Sequence, residues 1–306
     1  MEYLVKMLRI KREKLIKKDE KYYYNHELFN GLIFYDKNGV IEAQKICKNG
    51  QIVNDYRNKY FDNNFTLNIN KDALEIPKPK IYRNEIPRYY KGKPFTGIVY
   101  KFIDGFCIEE IEYRDGAGAD NIDYDEKKNY SGLCSIHYFK SGNIKEFKRK
   151  DKNLLQELEW YTNSNIKYIS IDEENTVWFE FSFTEDGNLT RIELDEYFEE
   201  FEEIKQKIKF NILPNRKELL NRRLNDNIAF GGEDIDDNFL YEYYNLGSLN
   251  NVQQISFSST SISEKGYEVL LKMPNLKKLR MRAYKLPFKT IGVLKKRGIE
   301  VEINRI

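Results

Sequence analysis

The sequence predicts an α+β fold: an antiparallel β-hairpin repeat meander, followed by helices and a small α/β cap. Three observations carry this. Glycines recur at fixed offsets in two distant segments, an aromatic-x-x-Gly-Asn-Ile-Lys phrase recurs in the middle of the chain, and the apolar period turns helical near residue 194. The expected organisation is a basic N-terminal capping segment (1–21), a hairpin repeat domain (22–194), a helical junction (195–245) and the α/β segment (246–306).

Residues 1–20 are basic and partly amphipathic, with Leu4, Met7, Leu8 and Leu15 near helical offsets. The hairpin domain opens with Leu28-Phe29-Asn30-Gly31-Leu32-Ile33-Phe34-Tyr35, then Gly39 and Gly50. Its second copy is Pro94-Phe95-Thr96-Gly97-Ile98-Val99-Tyr100, then Gly105 and Gly116, so the glycines keep offsets of 8 and 19 and the copies lie 66 residues apart. Asn38-Gly39 and Asp104-Gly105 supply the positive φ of tight hairpins. The shorter phrase begins at Phe139, Tyr161 and Phe183, and its asparagines, Asn143, Asn165 and Asn188, are 22 and 23 residues apart. A fixed period of this kind means stacked supersecondary units that cannot bury their apolar faces singly. Pro77, Pro79 and Pro87 exclude a regular central strand from 53–93, where a degenerate pair of repeats with an inserted loop is expected.

Leu194, Phe198, Phe201, Ile204 and Ile208 then form one helical stripe, acidic at its start and basic at its end, in the order that complements a helix dipole. Pro214 opens a second predicted helix containing Leu219, Leu220 and Leu224, and Ala229-Phe230-Gly231-Gly232 is read as opening an acidic loop. Beyond it, Asn251-Val252-Gln253-Gln254-Ile255-Ser256-Phe257 matches Asn275-Leu276-Lys277-Lys278-Leu279-Arg280-Met281 at a spacing of 24 residues. This is the strand pattern of a leucine-rich repeat. Helices are expected around Tyr267–Leu271 and from Pro287 to Gly298, and Ile299, Val301 and Ile303 give a closing strand.

Composition narrows the function. The 306 residues carry a net charge of +2, so no global field draws the chain to nucleic acid or an anionic membrane. No apolar run is long enough to span a bilayer, the first residues lack the pattern of a signal peptide, and three scattered cysteines argue for reduced thiols; the expected compartment is the cytoplasm. The 42 Tyr and Phe favour pleated structure. With two histidines, His26 and His137, no multi-histidine metal site beyond a pair is available, and no P-loop, nucleophile-elbow or dinucleotide fingerprint occurs. No enzyme activity and no cofactor are implied. Asn121, Asp123 and Asp125 have calcium-loop spacing, but Glu126 stands where glycine is needed and Gly132 where a bidentate glutamate is needed, so a flexible acidic loop is the better reading.

The phrases Tyr23-Tyr24-Asn25-His26-Glu27-Leu28-Phe29-Asn30-Gly31 and Tyr90-Lys91-Gly92-Lys93-Pro94-Phe95-Thr96-Gly97 resemble the opening of a bacterial MORN-variant repeat of the YwqK-type antitoxin family. Tyr35-x-x-x-Gly39 and Phe139-x-x-Gly142-Asn143-Ile144 look like that family's aromatic-x-x-Gly-x-Leu core, and the resemblance covers about residues 20–190. It implies a MORN-like meander and an immunity protein that binds and neutralises a cognate toxin by occlusion. The leucine-rich-like tail is not part of that pattern.

The candidate partner-binding residues are polar positions of the leucine-rich-like strands, which face the concave surface of such folds: Gln253, Gln254, Ser256, Lys277, Lys278, Arg280 and Arg282. They include part of a run from Lys272 to Arg297 holding ten Lys or Arg and no acid. The acidic loop at Asp234, Asp236 and Asp237 is a second candidate. The alternative function is a repeat scaffold that uses its basic segments on a membrane surface or nucleic acid, the latter disfavoured by the balanced charge. Uncovered sheet edges also leave self-association open.

Overall fold

A computed structural model describes residues 7–62, 64–75, 87–119, 132–151, 154–173, 176–195, 202, 205, 206, 213–282 and 288–304. The chain divides into two compact units, Met1–Ser164 and Asn165–Ile306, a division that falls inside the predicted repeat domain.

In the first unit, β1 (Leu8–Lys11) leads through a 3-10 turn (Arg12–Lys14) into a small antiparallel sheet of β2 (Ile16–Lys18), β3 (Lys21–Tyr24) and β4 (Glu27–Leu28). The hairpin β5 (Gly31–Lys37) and β6 (Val40–Lys48) follows, with β7 (Gln51–Asp55) paired to β6. The series is then repeated: β8 (Asn68–Asn70), a 3-10 turn (Lys71–Ala73), the small pair β9 (Tyr89–Tyr90) and β10 (Lys93–Pro94), and the hairpin β11 (Gly97–Ile103) and β12 (Phe106–Arg114) with β13 (Ala117–Gly118). The antiparallel strands β14 (Leu133–Tyr138), β15 (Ile144–Asp151) and β16 (Leu154–Trp160) complete the unit.

The 66-residue spacing is therefore a duplicated supersecondary structure. Tyr22 N–H donates to Gly50 O and Gly50 N–H to Phe29 O, at 2.8 and 2.9 Å; Arg88 N–H donates to Gly116 O and Gly116 N–H to Phe95 O, at 2.9 and 2.8 Å, each atom 66 residues on. Asn38-Gly39, Asn49-Gly50, Asp104-Gly105 and Asp115-Gly116 all have two consecutive positive φ angles, the conformation that matches strand twist in a two-residue hairpin. The shorter phrase has a different use. Phe139 N–H and Thr184 N–H close its turns on Asn143 O and Asn188 O, while Asn143 Nδ2 reaches Thr162 O and Asn165 Nδ2 reaches Glu185 O. The Asn143 and Asn165 side chains thus each reach the next phrase along the chain.

In the second unit, β17 (Ile166–Glu173), β18 (Thr176–Phe183) and β19 (Leu189–Leu194) are antiparallel. From β19 onward the pairing is parallel, through β20 (Leu224–Gly231), β21 (Gln254–Ser258), β22 (Lys278–Arg282) and β23 (Glu300–Asn304). Helix α1 (Arg216–Leu220) precedes β20, and α2 (Asp237–Asn245), α3 (Glu268–Lys272) and α4 (Phe288–Lys296) make the successive crossovers that parallel strands require. One face of this sheet is apolar. Phe230 stacks on Phe257 at 5.9 Å between ring centres, and Phe239, Tyr243 and Tyr267 close over them from the helical side.

The predicted fold class is corrected by this topology. The chain is mostly β and its sheets are mixed, not an antiparallel hairpin meander followed by helices. Two parallel pairs interrupt the hairpins of the first unit: β1 lies parallel to β5 and meets β12 at Ile10–Phe106, and β8 lies parallel to β11. The basic segment expected to cap the array supplies β1, whose fully buried Ile10 pairs with Ile33 of β5 and Phe106 of β12. In the predicted helical junction, the helix expected through Leu224 stops at Leu220, and the residues read as the start of a loop, Ala229, Phe230 and Gly231, end a sheet strand. Most of the 194–208 stripe, and Asn121, Asp123 and Asp125, lie outside the described residues.

Candidate functional site

The parallel register sets side chains in rows across the second unit. Arg191, Ala229, Ser256, Arg280 and Glu302 are successive neighbours on β19 to β23, and Glu193, Gly231 and Ser258 form a second row two residues on. Because alternate residues face opposite sides, these rows lie on the face opposite the aromatic core. They line a half-open trough of about 420 Å³. Its floor is made of small residues: Ala229, Gly231, Ser256 and Ser258. A Cβ on Gly231 would meet Glu193 Cγ at 3.0 Å, so glycine there lets the glutamate stem lie flat.

Ion pairs form the walls. On one side Arg191 Nε is 2.9 Å from Glu180 Oε1 and 3.1 Å from Glu193 Oε2, and its Nη2 also donates to Glu193. On the other, Arg280 Nε donates to Glu302 at 2.7 Å, and Lys278 Nζ donates to Glu300 and Glu302 at 2.9 and 2.5 Å. Arg191 is the more exposed member of its pairs, with 44% of its side chain accessible against 18–19% for Glu180 and Glu193, whereas Arg280 and Glu302 are similarly exposed, at 48% and 38%. On the Arg191 side the carboxylates lie behind and the guanidinium in front. Burial pushes the Glu180 carboxyl up, against the opposing pull of Arg191. Glu302 behaves oppositely: hydrogen bonds from Lys278 and Arg280 hold its carboxyl down at about 2. An acid whose folded pKa is depressed keeps its favourable pairing above the unfolded value and loses it as pH falls through the folded one. Glu302 is therefore expected to stay ionised across the ordinary carboxylate range. A carboxyl-carbon NMR titration showing it protonate with the exposed glutamates would contradict this.

The sequence-predicted residues are distributed as follows. Gln254, Ser256, Lys278 and Arg280 share the trough face. Gln253 and Lys277 precede their strands and are tied together, Lys277 Nζ to Gln253 Oε1 at 2.8 Å, with Gln253 Nε2 on Asp226. Arg282 ends β22, and its side chain lies outside the described residues. Asp236 caps α2 by accepting from Phe239 N–H at 2.8 Å, Asp237 accepts from Ser263 N–H and Oγ–H, and Asp234 N–H donates to Leu194 O in the preceding loop. Arg297 is turned onto the last carbonyls of α3, donating to Leu271 O and Met273 O. Four residues of the basic run, Lys277, Lys278, Arg280 and Arg297, are thus answered within the fold.

Sequence reasoning missed Arg191, Glu193, Ala229, Gly231, Ser258 and Glu302. The available signal was Ile228-Ala229-Phe230-Gly231, which repeats the apolar-small-aromatic-small order of Ile255-Ser256-Phe257-Ser258.

A second cavity, about 410 Å³, lies in the first unit beside Gln44, Tyr56, Asn68 and Tyr100. Its polar floor is internally occupied, with Gln44 Nε2 donating to Tyr100 Oη at 2.7 Å. No helix among the described residues is long and apolar enough to cross a membrane.

No family model matches the chain, and no curated protein matches it. Among solved structures it is similar to the crystal structure of TarM, with 9% identity, a TM-score of 0.20 and coverage of 76% of this chain and 57% of that one. It is also similar to the crystal structure of accessory secretory protein 1,2 and 3 in Streptococcus pneumoniae, with 8% identity, a TM-score of 0.18 and coverage of 77% and 58%. The chain spans somewhat more than half the length of these matches, and likenesses this slight carry no argument about fold or activity.

Proposed function

We propose that this chain is a protein-binding module that acts by occlusion rather than by chemistry, and that its partner is a toxin which it neutralises as a cytoplasmic immunity protein. The observation that carries the binding reading is the trough: a sheet face with a floor of small residues, framed by arginines already held in place by carboxylates. Pre-positioned arginines around a recess are the usual energetic anchors of protein interfaces, because little side-chain entropy remains to be lost on docking. A toxin as partner is supported by the likeness of the Tyr23–Gly31 and Tyr90–Gly97 phrases to the YwqK-type antitoxin repeats. Pairing of Lys278 and Arg280 with Glu300 and Glu302 weighs against a phosphate-binding face, which needs free cationic charge.

The test is co-expression with the product of the adjacent upstream reading frame. Growth is expected to be restored, and a complex that survives moderate salt is expected to co-purify. No rescue and no complex would overturn the proposal; a complex that dissolves at moderate salt would favour a charge-driven scaffold.

A further inference from the structure

We propose that the outer edge of β7 is a docking site for one extended strand of the partner, added antiparallel in the place that β15 holds in the second copy of the duplicated structure. This rests on the partner being a protein, as above, and adds a surface in the first unit and the chemistry it accepts.

The duplication shows which edge is open. Val40 of β6 meets Ile69 of β8, and 66 residues on Phe106 of β12 meets Ile10 of β1. Lys45 pairs with Asp55 of β7, and 66 residues on Ile111 pairs with Ser135 of β14. Tyr56 N–H donates to Gln44 O at 2.8 Å, and Glu110, the counterpart of Gln44, pairs with Ile136. Asp55 and Tyr56 therefore stand where Ser135 and Ile136 stand. Beyond Ser135 and Ile136 the sheet continues, with Lys148 and Phe147 of β15 beside them. Beyond Asp55 and Tyr56 it stops: among the described residues β7 pairs with β6 alone. All five β7 residues are exposed, Ile52 and Val53 by 42% and 45%.

Main chain and side chains then define what fits. Because Tyr56 N–H bonds to β6, alternation along the strand turns the N–H and C=O of Asp55 away from β6. An open edge of this kind is a template for an added strand, whose main chain supplies affinity and whose side chains supply specificity. Phe147, beside Ile136, is fully buried, so the residue that fits beside Tyr56 is aromatic or branched and apolar. Lys148 stands beside Ser135, and Asp55 carries the one charge of β7, so the residue beside Asp55 is not acidic. The same rule favours a partner over a second copy of this chain. Two β7 strands paired about their outward residue would set Asp55 against Asp55.

The probe is a peptide with the sequence of β15, Ile144–Asp151, blocked at both ends. It is titrated to millimolar concentration against the full chain while amide NMR shifts are followed. Saturable shifts at Asn54, Asp55 and Tyr56 are expected. N-methylation of the peptide at Lys148, which removes the N–H set against Asp55, should weaken binding at least tenfold, and so should Lys148→Glu in the peptide. Asp55→Pro in the protein removes an outward N–H and no bond to β6, so it should block binding while the rest of the spectrum stays folded. No shift in the unaltered protein, or equal binding of the N-methylated peptide, would overturn the proposal. Shifts confined to β14, where the peptide merely replaces β15, would do the same, as would a peptide-free dimer that Asp55→Pro dissolves. Toxin rescue that Asp55→Pro leaves intact would sink this site alone. Peptide binding without rescue would sink the toxin reading and leave the site standing.

Discussion

Glu110→Ala is expected to lower the unfolding free energy of the Met1–Ser164 unit by about 3–5 kcal/mol. Glu110 is fully buried and accepts from Arg9 Nη1 at 2.6 Å and Asn58 Nδ2 at 2.8 Å. Arg9 also donates to Tyr56 Oη at 3.3 Å and lies over the Tyr138 ring at 4.0 Å. Burial alone would depress the Arg9 pKa, but Tyr138, Glu110 and Tyr56 more than offset it and hold it above its ordinary value. A guanidinium is too basic to lose its proton at ordinary pH, so the substitution leaves a buried charge without its counter-ion. Removing one partner of a buried pair costs far more than the pair contributes, so Arg9→Met combined with Glu110→Ala should cost well below the sum of the single changes. Denaturant unfolding followed by circular dichroism measures both. A loss under about 1 kcal/mol in Glu110→Ala would show that the pair is not buried as described.

That pair also explains why the first unit was only partly legible. Hairpin turns are local, and each Asn-Gly or Asp-Gly step could be read from two adjacent residues. β1 is four residues long, basic at its second and fourth positions, and preceded by apolar residues at near-helical spacing. Nothing within it states that it will lie parallel to β5 or that Arg9 will find Glu110, 101 residues later. Long-range pairing of this kind is set by the whole fold, and propensity yields to it.

The candidate site shows the same division. The matching phrases at Asn251 and Asn275 placed Gln254, Ser256, Lys278 and Arg280 on one surface from sequence alone. What the surface carries depended on its neighbours. Glu300 and Glu302 arrive on β23 and convert a basic stripe into paired charges, and Ala229 and Gly231 arrive on a strand that the double glycine had disguised as a loop. Gly231 is strand, and the turn belongs to Gly232, whose φ is +88° and whose Cβ would sit 2.0 Å from Leu194 O.

The repeated Phe-x-Gly step gives the second large effect. Gly97→Ala is expected to cost about 3 kcal/mol or more, because two separate penalties coincide. Its φ is +151°, a backbone region that side chains rarely adopt, and a Cβ there would lie 2.2 Å from Leu67 O and 2.8 Å from the Phe95 ring. The carbonyl cannot yield freely, since it accepts from Ile98 N–H at 2.9 Å at the entrance to the parallel β8–β11 pair. Gly31 holds the equivalent place in the first copy, with Leu8 O at 2.3 Å and the Phe29 ring at 2.6 Å, so the glycines that begin each repeat exist for this close approach and not for a turn. Gly92→Ala separates the two penalties: its φ is +72°, but no neighbour lies within 4 Å, and only the conformational cost of about 1–2 kcal/mol applies. Chemical denaturation of both variants decides the matter. If Gly97→Ala proved no more damaging than Gly92→Ala, the parallel strand would not press on the repeat, and the duplication would have to be explained by its turns alone.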